Sequence, residues 1–235
     1  LLLSAGLCLC THTDISAAGY VKKGNAVTIN VSSPGEGGAR MVRLQVMGDR
    51  IIRVEATPEE TFAEKQSLII VPQKTKARFN VSESDGFVTV SAAGVSARVS
   101  TVTGRIEVRD AEGRLLLGET EKDGKTFRRF TVPEREIGSG TLTDDARHGW
   151  TWHTQFDSPD DEAFYGLGQH QAEELNMKGR NEELFQYNTK VSVPMVLSNR
   201  GYGLLWDSYS YCRFGNPDEY RQLQRIFRLY DRDGR

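Results

Sequence analysis

Hydrophobic and polar positions alternate through most of the chain. In "AVTINVSS", Val27, Ile29 and Val31 fall on one side with polar residues between them, the period of a half-buried strand. "MVRLQVMGDRIIRVEAT" holds two such runs split at Gly48-Asp49, the pattern of a hairpin. "FVTVSAAGVSARVST" repeats the form, with strands expected at Phe87 to Ser91 and Val95 to Val99 around a turn near Gly94. "GRIEVRDAEGRLLLGE" repeats it again, with Asp110 to Gly113 as the turn. Turns at this spacing predict an all-β chain, one large antiparallel β-sandwich rather than two domains. The stretch "GETEKDGKT" is either a boundary or a long surface hairpin.

No helical periodicity stands out before residue 215. The tail "EYRQLQRIFRLYDRDGR" fits two patterns: Tyr220, Leu223 and Phe227 share a helical face, whereas "IFRLYDRDG" fits a strand entering a turn. At the other end, "LLLSAGLCLC" is apolar, uncharged and too short to span a bilayer. It reads as the remainder of a signal-peptide core, so the protein is expected to be exported, to the periplasm or the cell surface. Cys8 or Cys10 is then the candidate for a lipid anchor, although Leu7 and Leu9 precede them where a small residue is usual. The expected organisation is a signal-like segment and linker over 1–19, the sandwich over 20–216, and the start of a following or inserted module over 217–235.

Composition narrows the function. Thirty Lys and Arg stand against 32 Asp and Glu, a net charge of −2, which gives no electrostatic case for nucleic acid and leaves a lipid anchor as the one route to a membrane. Only Cys212 lies in the folded part, so no disulfide framework exists there. The histidines offer no H-x-H, and His148 and His153 are expected on opposite faces of one strand, so neither a metal nor any other cofactor is expected. "FYGLGQHQ" has a Gly-x-Gly at Gly166 and Gly168, but Gln171 replaces the third glycine of a dinucleotide loop and no helix follows to supply free N–H groups. Its glycines are expected to bend the chain sharply between strands.

Three polar groupings remain. Asp157, Asp160, Asp161 and Glu162 in "DSPDDEAF" read as a solvated loop, and Asp207 in "LLWDS" reads as a structural turn. "GWTWHTQF" sets Trp150, Trp152 and Phe156 on one strand face, expected to be core, with a sugar platform as the alternative. The segment "NMKGRNEELFQYNTK" mixes aromatic and amide side chains and is long for a connection between strands, which favours a binding role.

"FYGLGQHQ", "VPMVLSNRGYGLLWD" and "RLQVMGDRIIRVEAT" together resemble the N-terminal β-sandwich domain of glycoside hydrolase family 31, from about Gly24 to Asn216, in a form closest to bacterial α-xylosidases. The resemblance implies a galactose-mutarotase-like super-sandwich. It implies a parent that is a retaining α-glycosidase, its two aspartates on a (β/α)8 barrel that this chain does not contain, so that the chain alone is inactive. It further implies that a sandwich loop, here Phe185, Gln186, Tyr187 and Asn188, forms one wall of a sugar pocket shared with that barrel. Some relatives carry an acid near Asn188 where this chain has an amide. The substrate expected is a xyloglucan oligosaccharide, and "IFRLYDRDGR" matches the entrance to an inserted carbohydrate-binding module. Two other readings stand beside this one: a free-standing carbohydrate-binding sandwich, and an aldose-epimerase-like enzyme using His153 or His170 with a nearby acid. The first reading requires a large exposed apolar patch for the barrel.

Overall fold

The structure, a computed structural model, describes residues 19–64, 66–71, 78–131, 148–170, 174–186 and 188–215. The signal-like segment with Cys8 and Cys10, Tyr187, and the segment after 216 lie outside the described residues. Every regular element among the described residues is a strand, and every pairing is antiparallel. Two compact units are present. Described residues up to 64, with 78–131 and 148–157, form one; 66–71 and those from 158 onward form the other.

In the first unit, β1 (Tyr20–Lys23), β2 (Ala26–Asn30), β3 (Met41–Gly48) and β4 (Ile51–Thr57) make a meander in that order. A six-stranded sheet contains β5 (Asn80–Ser84), β6 (Phe87–Ser91), β7 (Val95–Ser100), β8 (Ile106–Asp110), β9 (Leu115–Glu119) and β12 (Phe156–Asp157), in the order β12-β9-β8-β7-β6-β5. The predicted alternation decides which side chains turn inward. Val27 and Ile29 of β2 and Val42, Leu44 and Val46 of β3 share one core with Val88 and Val90 of β6 and Ala97 and Val99 of β7. Two sheets closing on one apolar layer make the sandwich. The β3–β4 turn falls one residue later than predicted, at Asp49-Arg50, because Gly48 still pairs with Ile51 across a register shift.

Charged residues are embedded in this frame. Glu107 on β8 accepts from Arg98 Nε at 2.7 Å, Arg105 Nη1 at 2.6 Å and Arg109 Nη2 at 2.8 Å. The Arg98 bond above all, with Arg109 and Arg105 behind it, holds its carboxyl down at about 2 against the opposing effect of burial. Within "GETEKDGKT", Glu119 and Lys125 are not surface residues. They form a buried pair, with Nζ 2.6 Å and 2.7 Å from the two carboxylate oxygens. That pair closes the connection from β9 to β10, and both strands belong to the first unit, so no boundary falls there.

β10 (Lys125–Thr131) and β11 (His148–Thr154) form a two-stranded ribbon in the first unit. His148 and His153 lie on its opposite faces, as their spacing requires. The tryptophans depart from expectation: Trp150 is 38% and Trp152 46% exposed, so they are not core. On that face Phe127, opposite Trp152, packs on the core of the first unit, whereas both tryptophan rings are exposed.

In the second unit, β13 (Phe164–Gln169), β15 (Val191–Ser198) and β16 (Tyr202–Leu205) form a sheet in the order β13-β15-β16, and β14 (Glu182–Leu184) pairs with β17 (Cys212–Phe214). Their core is Leu167, Met177, Leu184 and Val196, flanked by Phe164, Leu204, Trp206, Cys212 and Phe214. "FYGLGQ" is one strand, not a bend between two. Gly166 pairs with Val196 and Gly168 with Ser192, so Leu167 alone faces Val193, Pro194 and Met195. This irregularity puts Gly166, Leu167 and Gly168 at φ of 130°, 65° and 99°. A Cβ on Gly168 would lie 2.1 Å from the Val191 carbonyl oxygen, and on Gly166 2.5 Å from that of Met195. The glycines therefore permit two strands to meet across a bulge. Leu167 tolerates its left-handed backbone, a cost of roughly 1–2 kcal/mol, because its side chain is wholly buried. Pro194 stands in the interrupted stretch of β15, where its missing N–H is tolerated.

Candidate functional site

The long segment before β15 is more ordered than its polar composition indicates, since Glu182–Leu184 within it is strand β14. The chain then crosses from β14 to β15 through Phe185 to Lys190, the sequence-derived candidate. Gln186 spends both ends of its amide on this crossing. Its Nε2 donates to the Lys190 carbonyl at 2.8 Å, and its Oε1 accepts from the Ser192 N–H at 3.2 Å. Ser192 Oγ donates to the Phe185 carbonyl at 3.0 Å. The Phe185 ring lies 5.9 Å from that of Tyr211, and the Lys190 ammonium stands 6.0 Å from the Phe185 centroid. Phe185 and Gln186 thus brace the loop from within, while Asn188 is exposed at its turn. Thr189 beside it has φ 73°, which a β-branched residue adopts only when its surroundings impose it.

The imposing groups lie beneath. Lys190 is buried and donates to the Glu183 carbonyl at 2.5 Å and to Glu182 Oε2 at 3.5 Å. His170 Nε2 donates to the Leu167 carbonyl at 2.7 Å, tying the bulge to this layer, and its Nδ1 lies 3.2 Å from Glu182 Oε2. Tyr211 donates to Glu183 Oε1 at 2.9 Å; burial first, and then this bond, push its phenol up to about 12. The bulge in "FYGLGQ" and the crossing at 185–190 are therefore joined through His170, Glu182 and Lys190. Sequence reasoning missed this layer, because its members lie 8 to 20 residues apart in an irregular segment. His170 and Glu182 do bring an imidazole and a carboxylate together, as an epimerase requires. However, the His170 side chain is 8% exposed, its Nε2 is committed to the Leu167 carbonyl, and its Nδ1 is buried beside Glu182 without a hydrogen bond, so the pair sits inside the unit rather than at its surface.

The acidic stretch also differs from its solvated reading at one residue. Glu162 is 2% exposed and accepts from Ser198 Oγ at 2.5 Å, Tyr202 OH at 2.6 Å and Ser158 Oγ at 2.9 Å. Burial, and then this carboxylate, push the Tyr202 phenol well above its ordinary value. Three hydroxyls turned on one buried carboxylate lock the start of β13 to the β15–β16 turn. Asp207 likewise accepts from Ser67 Oγ at 2.9 Å and Tyr209 OH at 3.1 Å, a structural role as expected.

Among the described residues, one face of β13-β15-β16 carries a row of exposed apolar side chains. Val191, Val193, Met195 and Leu197 alternate along β15 and are all exposed, Leu197 at 52%. Tyr165 pairs across from Leu197 and Leu205 from Met195, and both are exposed as well. A soluble surface rarely carries so continuous an aliphatic stripe.

Together these features define a galactose-mutarotase-like β-sandwich domain with a pinned loop and an exposed apolar row on one sheet. More narrowly, the chain belongs to the glycosyl hydrolase 31 N-terminal galactose mutarotase-like domain family, whose model matches residues 41–214 and so runs through both units. It is similar to the alpha-xylosidase of Saccharolobus solfataricus, 26% identical in an alignment of 180 residues that covers 72% of this chain and 22% of that protein. Its structure is similar to that of a family 31 alpha-xylosidase from Xanthomonas citri, with a TM-score of 0.72 and 38% identity over 84% of this chain and 20% of the other. A family 31 alpha-xylosidase from a soil metagenome, solved with xylose, shares the fold, with a TM-score of 0.60 and 21% identity over 83% of this chain and 29% of that one. The chain thus spans less than a third of each of these relatives.

Proposed function

We propose that the chain is the N-terminal domain of an exported α-xylosidase, that it docks against a catalytic barrel carried elsewhere in the parent protein, and that its 185–188 loop forms one wall of the pocket for a xyloglucan oligosaccharide. The observation that carries this reading is the aliphatic stripe of β15 with Tyr165 and Leu205. A face of this kind gains by burial against another domain, and a sandwich working alone would expose it to water. Similarity to alpha-xylosidases supports the substrate class. In the loop, the pinned backbone supports a fixed position for Asn188, whose amide can both donate to and accept from sugar hydroxyls.

The test compares the full-length parent with the 235-residue chain on p-nitrophenyl α-xyloside and on xyloglucan oligosaccharides. The parent should release xylose and the chain alone should release nothing. In the parent, Asn188→Ala should raise KM with a smaller change in kcat. Met195→Lys with Leu197→Lys should lower the yield of active enzyme by exposing the dock to charge. A parent that releases glucose but no xylose, or that tolerates the double lysine variant without loss, refutes the reading. Export is tested separately by fractionating cells that express the parent.

A further inference from the structure

The β10–β11 ribbon places Trp150 opposite Arg129 and Trp152 opposite Phe127 on one face. Phe127 packs on the core of the first unit, so the ribbon is rooted there. The Trp150 ring is held in place at two points: its Nε1 donates to Glu59 Oε1 at 3.0 Å, and the Arg129 guanidinium lies 5.7 Å from its centroid. At the next pair along the face, Thr131 Oγ1 and His148 Nδ1 are 2.9 Å apart. The face therefore offers two exposed, partly braced rings with donors and acceptors at their edges.

We propose that this face binds a neutral oligosaccharide, with Trp150 and Trp152 stacking on pyranose rings and Arg129 and Glu59 hydrogen-bonding their hydroxyls. A pyranose has a C–H-lined face and a rim of hydroxyls, and it is recognised by flat rings flanked by directed polar groups. Residues two apart on a strand stand about 6.8 Å apart on the same side, close enough for one sugar chain to reach both. The charges of Arg129 and Glu59 oppose each other, so the face favours an uncharged ligand over an anionic one. The Glu59 carboxylate retains acceptor capacity beyond its bond to Trp150. The contrast with β15 separates sugar from protein as occupant. The β15 stripe is aliphatic and lacks donors, which suits a protein partner. A protein covering the tryptophan face would have to desolvate Arg129 and Glu59 as well.

Native affinity gels of the 235-residue chain, with soluble xyloglucan or hydroxyethylcellulose and with anionic polygalacturonate as the contrast, test this. At least one neutral polymer should retard the chain. Trp150→Ala and Trp152→Ala should each weaken the apparent affinity roughly three- to tenfold, with melting temperatures unchanged. Trp150→Phe, which keeps a ring but loses the donor to Glu59, should fall between Trp150→Ala and the parent chain. If an alanine variant does not fold, Arg129→Ala reads the same face from a surface position and should also weaken retention. The proposal is overturned if neither neutral polymer retards the chain, if the variants are retarded equally, if only polygalacturonate binds, or if light scattering shows a dimer that the tryptophan substitutions dissolve.

Discussion

Glu162→Ala removes the acceptor on which three hydroxyls converge. Ser158 can turn its hydroxyl to water, so its bond costs little. Ser198 is buried and Tyr202 half-buried, so both hydroxyls lose a charged acceptor without regaining full hydration. Bonds to a charged group contribute about 1.5–3 kcal/mol each. Removing the carboxylate also relieves the cost of holding it out of water, which brings the expected loss to about 2–4 kcal/mol. For a unit of this size, that lowers the melting temperature by at least about 10 °C. Glu162→Gln separates the acceptor from the shape. The amide oxygen can still take Ser198 and Tyr202, and the Ser158 hydroxyl can turn to accept from the amide nitrogen, so the loss should be about 1 kcal/mol or less. The assay is thermal unfolding followed by Trp206 emission in a Trp150→Phe, Trp152→Phe background, since the chain has three tryptophans and Trp206 is the one in the second unit. The reasoning fails if Glu162→Ala melts within about 2 °C of its parent, or if glutamine is as damaging as alanine.

Other outcomes follow from the same structure. Glu107 is held near 2 in the fold against 4.5 in its ordinary state, so its contribution is complete above about pH 4.5 and is lost as pH falls toward 2; acid titration of stability should show this limb, and Glu107→Gln should flatten it. The Tyr211 phenol is raised from 10 to about 12, so its contribution is present below pH 10 and is lost as pH climbs through 10 to 12; Tyr211→Phe should remove that alkaline limb from a denaturation series. Gly168→Ala should destabilise far more than Gly113→Ala in urea titrations. Both glycines have positive φ, but a Cβ at 168 meets a carbonyl oxygen at 2.1 Å whereas one at 113 meets open space, so only the ordinary left-handed cost of roughly 1–2 kcal/mol applies there.

The sequence by itself determined the strands of the sandwich. Period-two alternation is local, and in β2, β3, β6 and β7 it coincides with the core because a pleated strand has only two faces and one of them must be dry. The hairpin at Asp110 to Gly113 was legible for a similar reason, since turn chemistry resides in neighbouring residues. The motif combination from "FYGLGQ" to "GYGLLWD" carried the family. What the tertiary structure decided is where a polar or aromatic residue finds its surroundings. Glu162 looks solvated in a stretch of aspartates, yet two of its partners lie 36 and 40 residues away. Trp150 and Trp152 have the spacing of core residues, yet both rings are exposed although Phe127 on the same face reaches the core. Gln186 has the composition of a sugar ligand, and its amide also makes two bonds to the backbone around it, which the composition does not show. Alternation records which side of a strand a residue takes; it holds no record of what that side meets, because the opposing surface comes from distant parts of the chain.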